Sequence, residues 1–363
     1  MKIIISGGGT GGHIYPAIAI ADELKKRDNK IEILFIGAKD RMEMQRVPKA
    51  GYKIKGLWIS GIQRKRSLKN LVVPIKLMSS LIKAGRIIMS FKPDVVIGVG
   101  GYASGPTLRM AALYGKPTLI QEQNSYAGIT NRLLAKHVDK ICVAYNGMDK
   151  YFPADKLVLT GNPIRSDLQY VKEKEQESTV FFDRGHNQKT VLMIGGSLGA
   201  KSLNEAALSA YELLKDRPDI LFIWQTGAGY YDAYKTSAIA ALPNVRIMAF
   251  IDRMDLAYAI ADVIIARAGA LTISELGLVG KPAILVPSPH VSEDHQTKNA
   301  QALVDLQAAI LIPDRDAKDK LFEQAIKLLD DETKLKSLEQ NVKNTARPNA
   351  TRFIVDEILE LIE

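Results

Sequence analysis

Ser6-Gly7-Gly8-Gly9-Thr10-Gly11-Gly12-His13 is the stretch on which the reading of this 363-residue chain turns. The apolar run Ile3-Ile4-Ile5 precedes it and reads as a first β-strand. Behind it, Ile14-Tyr15-Pro16-Ala17-Ile18-Ala19-Ile20-Ala21-Asp22-Glu23-Leu24 reads as a helix with Pro16 in its first turn, where a missing N–H is tolerated. Strand, glycine loop and helix together present backbone N–H groups and a helix N-terminus to an anion such as phosphate. A loop that only held phosphate would not require His13, an ionisable group at its mouth.

The same run fits the dinucleotide pattern as Gly7-x-Gly9-x-x-Gly12. That pattern needs an acid near the end of the second strand to take the ribose hydroxyls. Here the second strand, Ile31-Glu32-Ile33-Leu34-Phe35-Ile36, ends in Gly37-Ala38, with Asp40 late and Glu32 at the wrong end. A nicotinamide or flavin cofactor is disfavoured at the residue that would hold it.

Charge is unevenly spread. The net formal charge is +9, yet residues 1–163 hold 26 Lys and Arg against 11 Asp and Glu, and the rest hold 23 against 29. Lys53–Lys92 contains ten basic residues and no acidic one, which points to nucleic acid or an anionic membrane surface. The one cysteine, Cys142, sits in the apolar run Lys140-Ile141-Cys142-Val143-Ala144 and reads as a buried strand residue, so a disulfide framework is excluded. Three apolar residues ahead of the glycines are too few for a signal peptide, and no uncharged apolar run reaches transmembrane length. A cytosolic protein is expected.

At this length two domains are expected rather than one core. Two segments follow one plan of strand, glycine turn, helix, Gly-Lys-Pro and strand. The first runs from Asp94-Val95-Val96-Ile97 through Gly100-Gly101 to Gly115-Lys116-Pro117; the second runs from Asp262-Val263-Ile264-Ile265 through Gly269 to Gly280-Lys281-Pro282. The first glycine loop has a counterpart in Gly195-Gly196-Ser197-Leu198-Gly199-Ala200, behind the strand Thr190–Ile194. The pattern implies an α/β protein of two Rossmann-like domains, each with a loop at its sheet's carboxyl edge, facing each other across a cleft. The expected domains are 1–162 and 163–345, followed by an amphipathic helix in 346–363 that could pack back on the first domain.

These motifs together resemble a family. Gly8-Gly9-Thr10-Gly11-Gly12-His13-Ile14-Tyr15-Pro16, Gly100-Gly101-Tyr102-x-Ser104-Gly105-Pro106, Glu122-Gln123-Asn124, Gly161-Asn162-Pro163-Ile164-Arg165 and Gly195-Gly196-Ser197-x-Gly199-Ala200 occur in order. Phe250-Ile251-Asp252, Gly269-Ala270-Leu271-Thr272-x-x-Glu275 and Gln296-x-x-Asn299-Ala300 continue the series. The chain is similar nearly end to end to the MurG family of bacterial N-acetylglucosaminyltransferases, GT-B glycosyltransferases that convert lipid I to lipid II in peptidoglycan synthesis. Three departures are visible: Gln121 where the family often has His, Ala268 where it often has Ser, and His295 where a Gln commonly precedes Gln296.

The resemblance implies a set of roles. UDP-N-acetylglucosamine would be the sugar donor, a substrate rather than a cofactor, and no tightly bound metal is expected. Backbone at Ile251 would read the uracil edge, and the Glu275 carboxylate suits two vicinal ribose hydroxyls. Ser197 and the N–H groups of Ala270, Leu271 and Thr272 would hold the diphosphate, with Arg165 supplying positive charge. Asn124 and Gln296, which both donate and accept, suit sugar hydroxyls. His13 is the candidate general base, because an imidazole titrates near neutrality. Thr10, Gly11 and Gly12 lie beside it and would touch the donor or the acceptor diphosphate. The family inverts configuration, so one direct displacement at the anomeric carbon is implied.

Two decoys are set aside. Gly195–Ser202 lacks the glycine that a phosphate-binding P-loop needs before Lys201-Ser202. Asp314-Arg315-Asp316 resembles an acid-x-acid metal motif, but its place between a strand and a helix is better explained by N-capping. His and Cys spacing gives no metal site.

The basic block has a use of its own. From Leu71 to Met89 the pattern is helical, with Leu71, Ile75, Met78, Ile82 and Met89 on one stripe. Leu77, Leu81 and Ile88 widen the apolar arc, and Lys69, Lys76, Lys83 and Arg86 flank it. That combination suits a peripheral contact with an anionic membrane, and sparse aromatics argue against nucleic acid. The expected partners are UDP-N-acetylglucosamine, lipid I, an anionic membrane surface and other proteins of cell-wall synthesis, with the enzyme peripheral on the cytoplasmic side of the cell membrane. Alternatives on the same scaffold are a glycosyltransferase acting on diacylglycerol, a UDP-sugar epimerase, and a non-catalytic UDP-sugar or membrane-binding module, against which His13 argues.

Overall fold

A computed structural model of the chain describes residues 1–61, 72–164, 166–196, 198–291 and 294–362. They form two units, Met1–Ile164 with Asn349–Glu363, and Arg165–Pro348.

In the first unit, β1 (Lys2–Ser6), α1 (Gly11–Arg27), β2 (Glu32–Ala38), α2 (Glu43–Lys49) and β3 (Lys53–Leu57) build one half. The other half comprises α3 (Val73–Phe91), β4 (Val95–Gly98), α4 (Ser104–Leu113), β5 (Thr118–Glu122), α5 (Ile129–Leu134), β6 (Lys140–Val143) and β7 (Leu157–Leu159). The strands form a parallel sheet in the order β3-β2-β1-β4-β5-β6-β7. Its inner strands β1, β2 and β4 are apolar runs because both faces are covered there, while edge strand β3 carries Lys53 and Lys55. Ile3 and Ile5 face one layer with α1, while Ile4 faces the other with α3 and α4. Each such fully buried side chain contributes on the order of 1.5–3 kcal/mol. Cys142 lies in β6 and is fully buried; burial pushes its thiol pKa well above the ordinary value.

The second unit contains α6 (Glu175–Phe182), β8 (Lys189–Ile194), α7 (Lys201–Ser209), α8 (Tyr211–Lys215), β9 (Ile220–Gln225), α9 (Tyr231–Tyr234) and β10 (Val245–Met248). It continues with α10 (Met254–Ile260), β11 (Val263–Ala266), α11 (Ala270–Val279), β12 (Ala283–Leu285), α12 (His295–Asp305), β13 (Ile310–Leu311), α13 (Ala317–Asp330) and α14 (Glu332–Lys343). Its sheet is parallel in the order β10-β9-β8-β11-β12-β13. The last helix, α15 (Ala350–Glu360), belongs to the first unit. Ile354, Val355 and Ile358 join the core under α1, and Lys140 pairs with Glu357 at 2.5 Å.

The two similar segments occupy equivalent places. Asp94 accepts the Lys2 N–H at 2.7 Å, tying the start of β4 to β1, and Asp262 accepts the Thr190 N–H at 2.7 Å, tying β11 to β8. In each sheet the strand order reverses at that pair. Crevices at the carboxyl ends of such switch points are where α/β sheets take ligands.

Candidate active site

At the first switch point, the loop after β1 meets the loop after β4 backbone to backbone. A Cβ on Gly101 would stand 2.3 Å from the Gly8 carbonyl oxygen, and Gly101 has a φ of +86°, so only glycine fits there without strain. Glu43, buried at the start of α2, accepts the N–H of Gly9 at 2.9 Å and of Ala38 at 2.9 Å. The sequence reading gave Glu43 no part; its bond to Gly9 spans 34 positions.

Thr10 is the N-cap of α1, in extended backbone, and its hydroxyl makes no cap bond. Gly11 and Gly12 therefore stand with their amides at the open end of the helix. His13 follows in that first turn, half-buried, with its ring against Gly100, whose Cβ would lie 2.8 Å from the His13 Cε1. Its Nδ1 is 2.9 Å from Gln123 Oε1.

Gln123 directly follows β5. Its Nε2 donates to the Val99 carbonyl at 2.9 Å, the Gln121 carbonyl at 3.0 Å and Gln121 Oε1 at 2.5 Å. Gln121 Nε2 donates to Asn162 Oδ1 at 3.1 Å, and Asn162 Nδ2 donates to the Gln123 carbonyl at 3.0 Å. Asn124 is held by its neighbour: its N–H and its Nδ2 both donate to Glu122 Oε1, at 3.0 and 3.2 Å. The other Glu122 oxygen takes the Gly128 N–H and Asn131 Nδ2, so this buried carboxylate shapes the whole loop. Neither Glu122 nor Gln123 had a role in the sequence reading beyond the motif that contains them.

The second switch point gathers Ala270, Leu271 and Thr272 in the first turn of α11, directly behind β11. Glu275 lies one turn further along, and the hydroxyl of fully buried Tyr258 donates to its Oε2 at 2.7 Å. Ile251 is buried, and its N–H donates to Gln225 Oε1 at 3.2 Å. Gln225 Nε2 in turn donates to the Gly196 carbonyl at 3.0 Å, linking the glycine loop to Ile251. A uracil edge read through the Ile251 N–H would exchange with Gln225. Gln296 opens α12 and accepts the Ser288 N–H at 2.8 Å, while buried Asn299 donates to the Ala268 carbonyl at 3.4 Å. Arg165 and Ser197 lie outside the described residues.

Asp314 differs from the N-cap expectation. It sits in a one-turn 3-10 segment without a side-chain cap bond, and its carboxylate takes Arg267 Nη1 at 2.5 Å and the Ser202 hydroxyl at 2.6 Å. Arg267 Nη2 reaches the same hydroxyl at 2.7 Å. This ion pair fastens the carboxyl ends of β11 and β13 to the start of α7, a contact that local sequence does not encode. Among the described residues, no group of three or more His, Cys, Asp or Glu is arranged so that it could hold a metal ion.

The amphipathic segment forms α3. Ile75, Met78, Ile82 and Met89 are 62, 59, 50 and 55% exposed, and Leu77 is exposed beside them. Leu81 is half-buried and Arg86 exposed, whereas Ile88 turns into the core with Ser80, Ala84, Gly85 and Ile87. The widened arc therefore loses Ile88 to the inner face. Lys76 lies over the Trp58 ring and donates to Ser60, and Lys83 donates to the Gly56 carbonyl. Burial, with Lys39 and Lys55 nearby, lowers the Lys83 pKa. Lys69 and Leu71 lie outside the described residues. No helix among the described residues is long and apolar enough to cross a membrane.

Residues 3–143 match the glycosyltransferase family 28 N-terminal domain, and residues 190–353 match its C-terminal domain. A Flavobacterium psychrophilum protein is 53% identical over 362 residues, covering 100% of this chain and 98% of its own length. A Parabacteroides distasonis protein is 54% identical over 364 residues, with the same shares covered. Both carry the name UDP-N-acetylglucosamine–N-acetylmuramyl-(pentapeptide) pyrophosphoryl-undecaprenol N-acetylglucosamine transferase. Among solved structures, Acinetobacter baumannii MurG superposes with a TM-score of 0.77 at 32% identity, covering 99% of each chain. A UDP-GlcNAc 2-epimerase from Neisseria meningitidis bound to UDP-GlcNAc reaches 0.70 at 17% identity over 99% of this chain and 100% of that one, a likeness of fold alone.

Proposed function

This chain belongs to glycosyltransferase family 28, and on that premise we propose that it makes lipid II from lipid I. It is an N-acetylglucosamine transferase, moving the sugar from UDP-N-acetylglucosamine onto the lipid-linked intermediate of peptidoglycan synthesis. The observation that carries this reading is similarity above half identity along the whole chain to transferases of that name. In the finer reading, the acceptor is the muramoyl 4-hydroxyl of lipid I. His13 takes the hydroxyl proton as the oxygen attacks the anomeric carbon. The bond from that carbon to the diphosphate oxygen breaks, and UDP leaves with the electron pair, inverting the centre.

Glu275, steadied by Tyr258, takes the ribose hydroxyls. Open amides in the first turn of α11 meet the diphosphate, with Arg165 and Ser197 assigned there by resemblance. Asn124 and Gln296 read sugar hydroxyls. The acceptor's polyprenyl tail stays in a bilayer, so the enzyme works peripherally at the cytoplasmic membrane face, and the exposed apolar stripe of α3 is the surface suited to rest there.

Transfer of labelled sugar from UDP-N-acetylglucosamine to a short-chain lipid I analogue tests the reading, with diacylglycerol and lipid-free reactions in parallel. Product on the lipid I analogue alone supports it. Product on diacylglycerol, or epimerised donor without lipid, would replace it.

A further inference from the structure

We infer that Gln123 is a positioning residue that holds neutral His13 as its Nδ1–H tautomer and leaves the basic lone pair on Nε2. The inference rests on the reading of His13 as the base and adds which nitrogen does the work and what selects it.

Three side-chain amides, those of Gln123, Gln121 and Asn162, are each held in orientation by an atom that can only accept. Gln123 is 1% exposed, and two of the three oxygens at its Nε2 are main-chain carbonyls, those of Val99 and Gln121. Reversing the amide would set Oε1 against both and strand them without a donor. The third oxygen, Gln121 Oε1, is fixed in the same way. Gln121 Nε2 points to the Glu122 carbonyl at 3.3 Å and to Asn162 Oδ1, and Asn162 Nδ2 is spent on the Gln123 carbonyl. Gln121 and Asn162 are 0 and 2% exposed.

Gln123 therefore presents its oxygen to His13 Nδ1 at 2.9 Å. An amide oxygen only accepts, so Nδ1 carries the proton, and a neutral imidazole with its proton there has its lone pair on Nε2. The glycine at position 100 lets the ring lie against the backbone that Gln123 also grips through Val99. A neutral amide imposes this tautomer without the negative charge that would draw the ring to imidazolium.

The test uses the full-length protein with ¹⁵N-labelled histidine and long-range ¹H–¹⁵N correlation at a pH where the ring is neutral, with His13→Gln assigning the signal. The expected spectrum shows Nδ1 protonated and Nε2 as the pyridine-like nitrogen. A protonated Nε2 in the unaltered protein would overturn the inference, whatever any variant does. Gln123→Met should shift His13 toward the Nε2–H form and lower kcat by about 10–100-fold, with KM for UDP-N-acetylglucosamine unchanged. A loss of kcat in Gln123→Met with the tautomer unmoved would make Gln123 a merely structural residue and sink the proposal. Full turnover in His13→Ala would instead remove the base assignment and leave the tautomer result standing.

Discussion

Beneath the first glycine loop a buried carboxylate, Glu43, accepts the Gly9 N–H, whereas beneath the second a neutral amide, Gln225, donates to the Gly196 carbonyl. Both loops follow the strand at which their sheet reverses order, and both lead into a helix. The difference lies in charge. In the first loop one N–H is already committed to a fixed anion, so a phosphate placed there would face Glu43 as a like charge. In the second, the support carries no charge, and the neighbouring switch-point helix α11 opens directly behind β11 with its first-turn amides. The first loop's helix carries an imidazole, His13, in its first turn, whereas the second loop's helix, α7, opens with the ammonium group of Lys201. On the proposed reading, similar backbones divide the work: the second unit takes the anionic nucleotide, and the first takes the hydroxyl from which a proton is removed.

The largest expected effect breaks this division at its chemical end. His13→Ala should reduce turnover by roughly 10²–10⁴-fold and leave UDP affinity unchanged in calorimetry. It should also remove the acid limb of the pH–rate profile. A variant that keeps that limb would make His13 an acceptor-positioning residue and move the base elsewhere.

At the first switch point, Gly101 in the loop after β4 and Gly9 in the loop after β1 differ in what a side chain would meet. Gly101→Ala would force a Cβ to 2.3 Å from the Gly8 carbonyl, and Gly9→Ala would meet nothing within 4 Å although its φ is +91°. Thermal or denaturant unfolding should show Gly101→Ala costing about 3 kcal/mol or more, and Gly9→Ala about 1 kcal/mol of backbone strain alone. Equal costs would mean that the two loops do not touch as described.

At the nucleotide end, Glu275→Ala should weaken UDP binding by about 1.5–3 kcal/mol, the range for hydrogen bonds to a charged group. Tyr258→Phe removes only the hydroxyl that steadies Glu275 and should cost about 0.5–1.5 kcal/mol of the same affinity. Unchanged affinity in Glu275→Ala would take the ribose away from that residue.

The smallest effect concerns the membrane. Lys76 and Lys83 are engaged within the first unit, so the cleaner change is Ile75→Ser with Met78→Ser and Ile82→Ser, all on the exposed stripe. Co-sedimentation with anionic vesicles should fall, while activity on a short-chain soluble acceptor should hold. Binding indifferent to these changes would leave α3 as a solvated face.

Much of the fold was legible because parallel strands buried on both faces are written as unbroken apolar runs, as at Ile3–Ile5 and Thr190–Ile194. The repeated plan around Gly101 and Gly269 was legible too, since each turn is fixed by local glycine chemistry. Ile88 was misread because α3 packs inward through small residues, Ser80, Ala84 and Gly85, which an apolar stripe does not reveal. The motif residues His13 and Glu275 stand out as ionisable groups near helix starts. Their partners do not: Gln123 meets His13 across 110 positions, and Tyr258 meets Glu275 across 17. Asp314 finds Arg267 across 47 positions, and only the folded sheet edge brings such pairs together.

Hydrogen–deuterium exchange of the full chain with and without UDP tests the division of labour most directly. UDP-dependent protection is expected in the segments holding Ile251 and Ala270–Glu275, with the amides of Gly7–His13 and Gln123–Asn124 unchanged. Protection concentrated at Gly7–His13, with the second unit's switch point unaffected, would contradict it.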